Sequence, residues 1–229
     1  SRRPHRGPDA MPEKKRILLV EDHALMRRGL KTLLESEPDL AVCAEADTRE
    51  AGLDAIASSK PDLVITDLSL KDSDGLELIK DIKRCFPALP VLALSMHDEL
   101  VYAERALRAG AGGYVSKQAL DETVVTAVRR LLAGEMHLSE AMNRVFLGKF
   151  VSGAAPEQDV TLQRLTDREL EVFKLIGRGK QNAEIAKDLS LSVKTIEAQR
   201  ERIKAKLDLS TGAELVRSAT LWIESGRIS

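Results

Sequence analysis

Aromatic residues, cysteines and long apolar runs are all scarce in this sequence. Aromatic residues make up 3% of its 229 residues, so Leu, Ile, Val and Ala must build the cores. Two cysteines, Cys43 and Cys85, are too few for a disulfide framework, and the apolar run around Cys43 predicts a small core residue there. No apolar stretch approaches the roughly 20 residues that a transmembrane helix needs. These absences exclude disulfide-rich scaffolds and integral membrane proteins, and they favour a cytoplasmic protein.

An excess of charge of either sign is also missing. The formal net charge is −1, so no global field draws the chain to nucleic acid or membranes, and any basic surface must be local. The N-terminus is rich in Arg and Pro but has no apolar segment, which excludes a secretory signal. We expect residues 1–14 to be a disordered or cloning-derived N-terminus, with Met11 as a candidate natural start.

Short apolar runs alternate with longer amphipathic segments over residues 15–134. The first of these segments, residues 24–35, has Leu25, Leu30 and Leu34 on one side, which is a helical periodicity. Five strand–helix repeats predict an α/β fold, a doubly wound parallel five-stranded sheet with helices on both faces. The predicted strands are Ile17–Val20, Ala41–Ala44, Leu63–Thr66, Val91–Leu94 and Gly113–Val115.

The pattern changes after residue 134. We expect residues 135–161 to form a partly helical linker, because residues 152–159 are small, polar or helix-breaking and show no periodicity. No β-like run follows, so residues 162–229 predict a small all-α domain. Its predicted helices are Asp167–Ile176, Asn182–Leu189, Val193–Leu207 and Thr211–Ser225.

Three carboxylates, a hydroxyl and an amine follow the predicted strands. The carboxyl ends of parallel strands share one edge of the sheet, and ligands bind there. Glu21 and Asp22 follow the first strand, and Asp67 follows the third. Ser95 follows the fourth, and Lys117 lies two residues beyond the fifth. Each residue alone fits a cap, a turn or a solvated side chain, but their joint placement predicts one site.

The chemistry of this set indicates phosphoryl transfer. Converging carboxylates repel one another unless a hard cation neutralises them, and their oxygen atoms suit Mg²⁺. Asp67 can then attack a phosphoryl group as a nucleophile, while the metal and Lys117 stabilise the charge of the transition state. Glu21 and Asp22 would hold the metal, and the Ser95 hydroxyl would donate to a phosphoryl oxygen.

Residues 15–134 resemble a response-regulator receiver domain. The resemblance implies that a sensor histidine kinase, or a small phosphodonor, phosphorylates Asp67. It implies that Mg²⁺ is bound by Asp22, Asp67 and the backbone carbonyl of Ser69, with Glu21 acting through water. The motifs that carry the resemblance are Glu21-Asp22, Asp67-Leu68-Ser69-Leu70, Asp74-Gly75-Leu76-Glu77, Leu94-Ser95 and Tyr114-Val115-Ser116-Lys117.

The same resemblance implies a conformational switch. Ser95 would move towards the phosphoryl group, and Tyr114 would change rotamer, although Tyr114 alone also fits an ordinary strand-edge residue. Two positions depart from the family pattern. Glu21 stands where Asp is frequent, which keeps the charge. Lys71 stands where a proline is usual, which removes a rigid turn residue and alters the expected loop dynamics.

A short helix, a three-residue turn and a longer basic helix follow one another in the predicted α domain. The basic helix, Val193–Leu207, has Ile196 and Ile203 on its inward side and carries five basic against two acidic residues. Ser192 is its candidate N-cap. This arrangement is typical of a helix-turn-helix unit whose second helix enters the DNA major groove. A solvated basic face is the alternative.

Residues 162–225 closely resemble a LuxR-type DNA-binding domain. The matching segments are Leu165–Val172, Gly179–Ala186 and Leu191–Glu197. A receiver followed by this domain is the architecture of NarL/FixJ-type response regulators. Gln181 and Gln199 depart from the usual residues without removing a core or basic position. The resemblance implies the DNA-facing residues Lys194, Thr195, Glu197, Ala198, Arg200, Glu201 and Lys204.

The sequence leaves open whether two groups of apolar residues pack within a domain or form an interface. The last predicted helix carries a stripe that fits either core packing or a dimer contact, and the resemblance favours a homodimer on phosphorylation or DNA binding. Three linker residues that precede the small, polar stretch 152–159 fit either interdomain contacts or ordinary helix packing; they are Val145, Phe146 and Phe150. The stripe consists of Leu215, Val216, Ala219 and Trp222.

We therefore expect a two-component response regulator in which phosphorylation of Asp67 controls binding to promoter DNA. Its own chemistry would be limited to self-phosphorylation from phosphodonors and slow self-dephosphorylation, so we do not expect the protein to be an enzyme. A phosphohydrolase is one alternative, but such enzymes place a second Asp where this chain has Ser69. A phosphorylation-independent DNA-binding regulator with a vestigial receiver is the other.

Overall fold

A five-stranded parallel sheet with helices on both faces forms the first part of the chain. The computed structural model describes residues 13–70, 75–96, 99–119, 122–144, 162–189 and 191–224. The strands are β1 (Lys15–Val20), β2 (Leu40–Ala46), β3 (Leu63–Asp67), β4 (Val91–Ser95) and β5 (Gly113–Ser116). The helices are α1 (Ala24–Glu35), α2 (Arg49–Ser59), α3 (Gly75–Cys85), α4 (Glu99–Ala109) and α5 (Glu122–Leu132). The strand order is β2-β1-β3-β4-β5, which confirms the predicted fold class.

The side chains of β1 show how the sheet separates two cores. Successive strand residues point to opposite faces. Ile17 and Leu19 therefore join the cluster formed with α1 and α5, while Leu18 and Val20 join the cluster formed with α2, α3 and α4. Both faces are covered, which explains why the strands read as continuous apolar runs rather than as alternating ones.

The expected apolar stripe of α1 needs one correction. Leu30 and Leu34 are buried against the sheet, but Leu25 is 83% exposed. Five residues correspond to a rotation of about 140° around a helix with 3.6 residues per turn. Leu25 consequently lies on the outer side of α1 and does not belong to the core.

The chain returns to the free edge of β5 after α5. His137 forms a parallel bridge with Gly113, and the N–H of Tyr114 donates to the His137 carbonyl at 3.2 Å. Met142, in a helical stretch at residues 140–144, is fully buried. The beginning of the expected linker thus packs on the sheet. The candidate contact residues Val145, Phe146 and Phe150 lie outside the described residues, as does Lys71.

Four helices form the second part of the chain, as expected. They are α6 (Asp167–Gly177), α7 (Asn182–Asp188), α8 (Val193–Lys206) and α9 (Gly212–Trp222). Thr166 and Glu169 form the reciprocal cap at the start of α6, a pairing that satisfies two backbone N–H groups. The buried residues Ile185, Ile196 and Leu215 bring α7, α8 and α9 into one core. No helix in the described ranges is long and apolar enough to cross a membrane.

Candidate functional site

The register of the central strands places the predicted carboxylates side by side. Val20 of β1 lies opposite Thr66 of β3, so the next residues, Glu21 and Asp67, lie together at the carboxyl edge of the sheet. Oxygen atoms of Glu21, Asp22 and Asp67 lie within 4.8 Å of one another. The structure therefore brings together the three carboxylates that the sequence predicted at one site.

Lys117 completes a buried charged group with two of these carboxylates. Its Nζ lies 2.6 Å from Glu21 Oε2 and 2.8 Å from Asp67 Oδ2. The Lys117 side chain is 3% exposed and the two carboxylates are each 2% exposed. One ammonium group does not balance two carboxylates, and Asp22 adds further negative charge beside them. The site is consequently poised to accept a cation.

The pKa of Glu21 reflects its burial first and its charged neighbours second. Burial raises the pKa above its ordinary value of 4.5, and the neighbouring Asp67 carboxylate raises it further. Lys117 opposes both effects through its charge and its hydrogen bond to Glu21. A divalent cation would act in the same direction as Lys117 and favour the ionised carboxylate.

Gly75 fixes the backbone that carries Asp67. An added Cβ would lie 2.2 Å from the Asp67 carbonyl oxygen and 2.6 Å from the Leu68 Cα. The Gly75 N–H donates to the Leu68 carbonyl at 3.0 Å, and the Ser69 N–H donates to Asp67 Oδ1 at 3.1 Å. The sequence patterns above do not place Gly75 in the site. Its place eight residues after Asp67, opening a helix, was the available signal.

His23 is a second residue at the site that we had not selected. Its Nδ1 lies 2.7 Å from Asp22 Oδ1 and 3.2 Å from Glu21 Oε1. Ligand atoms of His23 and the three carboxylates lie within 4.8 Å of one another, close enough to be considered a candidate metal site. Its position immediately after the acidic pair was the signal in the sequence.

Ser95 and Tyr114, the expected switch residues, are both fully buried. Ser95 ends β4 opposite Ser116 of β5, and Tyr114 pairs with Ala93. Tyr114 also belongs to the apolar cluster that includes Ala103 and Ala106 of α4. It is therefore a core residue in this structure rather than an exposed strand-edge residue.

Helix α8 presents most of the expected DNA-facing residues to solvent. The Ser192 hydroxyl caps it by accepting from the Thr195 N–H at 3.1 Å. Lys206 is taken up by an ion pair with the buried Glu169 at 2.6 Å, so it does not add to a free basic face. Lys204 is half-buried, as are Thr195 and Arg200. The fully exposed members of the expected set are Lys194, Glu197, Ala198 and Glu201.

The expected dimerisation stripe on α9 divides into core and surface residues. Leu215 and Ala219 are fully buried within the helical unit, and Trp222 lies against Phe173 of α6 with ring centroids 5.8 Å apart. These residues hold the unit together, which favours core packing, one of the two interpretations left open for this stripe, at Leu215, Ala219 and Trp222. Val216 is exposed, as is Leu221, which we had not selected.

Family models match both parts of the chain. The model described as response regulator receiver domain matches residues 17–129. The model described as bacterial regulatory proteins, luxR family, matches residues 163–219. The two matches follow the sheet and the four-helix unit respectively.

Relatives and solved structures span most of the chain. The oxygen regulatory protein NreC of Staphylococcus carnosus is 35% identical over 211 residues, covering 89% of this chain and 96% of the relative. A LuxR-family two-component response regulator from Aurantimonas has a TM-score of 0.57 and 32% identity, covering 61% of this chain and 99% of that one.

Salmonella RcsB, solved on promoter P1flhDC with the phosphomimetic BeF3−, has a TM-score of 0.55 and 29% identity, covering 90% of this chain and 97% of that one. RcsB thus shares both the receiver and the helical unit with this chain. The acidic strand ends, the buried lysine, the basic helix and these similarities lead to one assignment. The chain belongs to the two-component response regulators that join a receiver domain to a LuxR-type helix-turn-helix domain, the NarL/FixJ group, and not to a family of enzymes.

Proposed function

We propose that phosphorylation of Asp67 controls sequence-specific binding of DNA by α8, and through it transcription. The observation that carries this proposal is the buried group of Glu21, Asp67 and Lys117. Its charges lie at the ends of three different strands, so a phosphoryl group on Asp67 changes the net charge of a buried site to which several strands contribute. A buried charge is costly to leave uncompensated, and the protein must therefore rearrange when the charge on Asp67 changes.

The donor set of this site fits Mg²⁺. Carboxylate oxygens are the preferred protein ligands of this ion, and the site has more carboxylate charge than Lys117 neutralises. We assign Asp22, Asp67 and the Ser69 carbonyl as ligands and Glu21 as a ligand through water. When bound, Mg²⁺ neutralises the carboxylates and the charge that develops on the transferred phosphoryl group.

Side chains of the receiver carry out the phosphoryl transfer and then bind the phosphoryl group. An Asp67 carboxylate oxygen attacks the phosphorus of a phosphohistidine on a sensor kinase, and the histidine nitrogen leaves. Lys117 Nζ, which contacts Asp67 Oδ2, then pairs with a phosphoryl oxygen. The Ser95 hydroxyl donates to another phosphoryl oxygen, and Tyr114 repacks in the space that Ser95 leaves. Small phosphodonors can replace the kinase.

Contacts between the two parts of the chain support the transmission of this change. The guanidinium of Arg105 on α4 donates to the Leu165 carbonyl, which lies immediately before the cap of α6. The N–H of the expected switch residue Tyr114 donates to the carbonyl of His137 in the segment that leaves the receiver. A movement of α4 therefore alters a contact with the helical unit, and a movement of Tyr114 alters a contact with the segment that leads to that unit.

Helix α8 supplies the proposed DNA contacts. Lys194, Thr195 and Arg200 suit phosphates, which fix the position of the protein on the duplex. Glu197 can accept from cytosine N4, and Ala198 can contact a thymine methyl group. Glu201 and Lys204 lie further along the same helix, where their ion pair, 2.9 Å long, orients them. The partner is promoter DNA in the cytoplasm, as the DNA-bound RcsB structures suggest.

A homodimer on DNA completes the proposal. The exposed apolar residue Val216 on α9 offers a contact surface on the helical unit. Repeated half-sites on DNA would then place two copies of α8 one helical turn apart. The alternative, a regulator whose receiver no longer responds, predicts the same DNA affinity in every phosphorylation state.

The decisive experiment combines phosphorylation with DNA titration. The protein is incubated with Mg²⁺ and acetyl phosphate, and intact mass and promoter affinity are measured in parallel. We expect one phosphoryl group per chain and an affinity gain on the order of 10-fold, as is usual for allosteric coupling. Asp67→Asn should abolish both changes. Asp39→Asn, which removes an exposed carboxylate elsewhere, should abolish neither. Labelling of Asp67→Asn, or an unchanged affinity after labelling, contradicts the proposal.

A further inference from the structure

We propose that His23 is a fourth protein ligand at the acidic site, so that the site binds nitrogen-accepting divalent transition metals more tightly than Mg²⁺. Co²⁺, Ni²⁺ and Zn²⁺ are ions of this class. The inference rests on the metal site of the proposed function and adds a ligand to it. It concerns which ions the site accepts, whereas the proposed function concerns what Asp67 does.

The geometry brings the imidazole within reach of a shared ion. Ligand atoms of Glu21, Asp22, His23 and Asp67 lie within 4.8 Å of one another. Two ligands of one transition ion, each about 2.1 Å from it, are separated by at most about 4.2 Å. Side-chain shifts of a few tenths of an ångström per residue, on the order of a rotamer adjustment, would therefore close the set around one ion.

The ring of His23 already points at the metal-binding carboxylates. Its Nδ1 is the atom nearest to Asp22 Oδ1, at 2.7 Å, and to Glu21 Oε1, at 3.2 Å. A hydrogen atom shared along these contacts occupies the region in which a bridging cation would lie. A dication in place of this hydrogen atom would be bound by the His23 nitrogen and the Asp22 carboxylate, while Glu21 would still act through water.

Among the described residues, the side chain of His23 contacts only the neighbouring acidic pair. The ring is 71% exposed, and although His23 precedes the first residue of α1, its side chain does not cap that helix. Arg27, one turn into α1, donates to the backbone carbonyl of Glu21, which leaves the Glu21 carboxylate to Lys117 and His23. The imidazole can therefore turn towards an ion without breaking a contact that stabilises the fold.

The chemistry of the donor set decides which ions gain. Imidazole nitrogen suits Zn²⁺, Ni²⁺ and related ions, whereas Mg²⁺ prefers oxygen and retains several waters. Three carboxylates alone accept either class of ion. The addition of one nitrogen donor raises the affinity of the transition ions selectively, while Mg²⁺ occupies the site through its abundance.

The test compares Co²⁺ and Mg²⁺ binding in the full chain and in two single variants. Co²⁺ is titrated by its visible absorption, which changes with its coordination, and Mg²⁺ by its competition with Co²⁺. We expect His23→Gln to lower Co²⁺ affinity by about 10-fold or more and to change Mg²⁺ affinity by less than about two-fold. His5→Gln is the matched control, since it removes another histidine near the N-terminus, and we expect it to change neither affinity.

A spectroscopic measurement tests the nitrogen ligand directly. Pulsed electron paramagnetic resonance of the Cu²⁺-loaded chain, with ¹⁵N-labelled histidine, should show coupling to one histidine nitrogen that is lost in His23→Gln. Equal losses of Co²⁺ and Mg²⁺ affinity in His23→Gln, or nitrogen coupling that persists in it, would overturn the inference. Phosphorylation of Asp67 in Mg²⁺ should proceed in His23→Gln. Failure of this inference therefore leaves the proposed function standing. Failure of labelling in the unaltered protein would contradict the proposed function instead.

Discussion

The acidic site of the receiver and the basic helix of the DNA-binding unit hold their charges in opposite environments. Glu21, Asp67 and Lys117 are almost completely buried, while Lys194 and Glu197 of α8 are exposed. Buried charges interact strongly because little water screens them, and exposed charges interact weakly because water and salt do. The receiver can therefore hold two distinct states, whereas α8 accumulates affinity from many small contacts.

Removal of the buried lysine should give the largest effect on stability. Lys117→Met leaves the Glu21 and Asp67 carboxylates side by side without their shared ammonium group. We expect the free energy of unfolding to fall by about 3 to 5 kcal/mol in metal-free buffer. Urea denaturation measures the change, and added Mg²⁺ should restore part of it because the cation supplies the missing positive charge.

The matched change on the exposed helix sharpens the contrast. Lys194→Met removes the same charge from solvent, so we expect its free energy of unfolding to change by no more than about 0.5 kcal/mol, with or without Mg²⁺. If Lys117→Met proved as mild as Lys194→Met, burial would not make the charges around Lys117 interact more strongly than exposed ones.

A methyl group at position 75 should give the next largest effect. The Cβ of Gly75→Ala would lie 2.2 Å from the Asp67 carbonyl oxygen and 2.6 Å from the Leu68 Cα. Both atoms belong to the backbone, which cannot move aside without a cost in free energy. We expect a loss of about 1 to 3 kcal/mol in the free energy of unfolding. Acetyl phosphate labelling of Asp67 should also slow, because the backbone that carries it is displaced.

Gly29→Ala provides the control for that change. Gly29 lies within α1, and nothing lies within 4 Å of an added Cβ. Alanine in a helix interior is favoured over glycine by about 0.5 to 1 kcal/mol, so this variant should gain stability. Thermal unfolding of the two variants side by side measures both signs, and destabilisation of equal size in both would show that the close approach at Gly75 is unimportant.

Periodicity and strand-end position predicted most of the fold and the centre of the site. All five receiver strands were expected, and their ends shifted by at most two residues. The carboxylates could be predicted because parallel strands bring their carboxyl ends to one edge whatever the loops do. Asp67 and Lys117 lie 50 residues apart in the chain, yet each is fixed to its own strand, so a strand pattern sufficed to place both.

Side-chain partners and close backbone approaches could not be predicted in the same way. The pair of Lys206 and Glu169 joins α8 to α6, and no periodicity specifies which lysine of a basic helix turns inward. Gly75 touches the Asp67 backbone only in three dimensions. Leu215 and Ala219 form an apolar stripe that fits a core or a dimer equally well, and only the packing of α9 on α6 decides between them.

Two lysines of α8 should separate DNA affinity from stability. Lys194 is exposed, so Lys194→Ala should lower the slope of log affinity against log salt by about one unit on specific and random DNA alike. Lys206 is paired with the buried Glu169 carboxylate, so Lys206→Ala should leave that slope unchanged and cost about 1 kcal/mol of stability. Fluorescence anisotropy across a salt series measures the slope. A reduced slope for Lys206→Ala would place that residue on the DNA.

A small effect on stability is expected at the exposed ion pair between α5 and the start of β2. The Arg129 guanidinium lies 2.6 Å from Asp39 Oδ1, and this hydrogen bond lowers the pKa of Asp39 below its ordinary value of 3.8. A carboxyl with a lowered pKa stabilises the fold above its unfolded pKa, and this contribution is lost as the pH falls through the lowered folded value. Since both side chains are 45% exposed, water and salt weaken the pair.

We therefore expect Asp39→Asn to cost no more than about 1 kcal/mol at neutral pH. The difference between the unaltered protein and this variant should shrink as the pH falls from about 5 towards 2 and should also shrink in high salt. Urea denaturation at several pH values measures it. A difference that grows on acidification would have the wrong sign for a lowered pKa, and one that resists salt would mean that the pair is shielded from water like the buried group around Lys117.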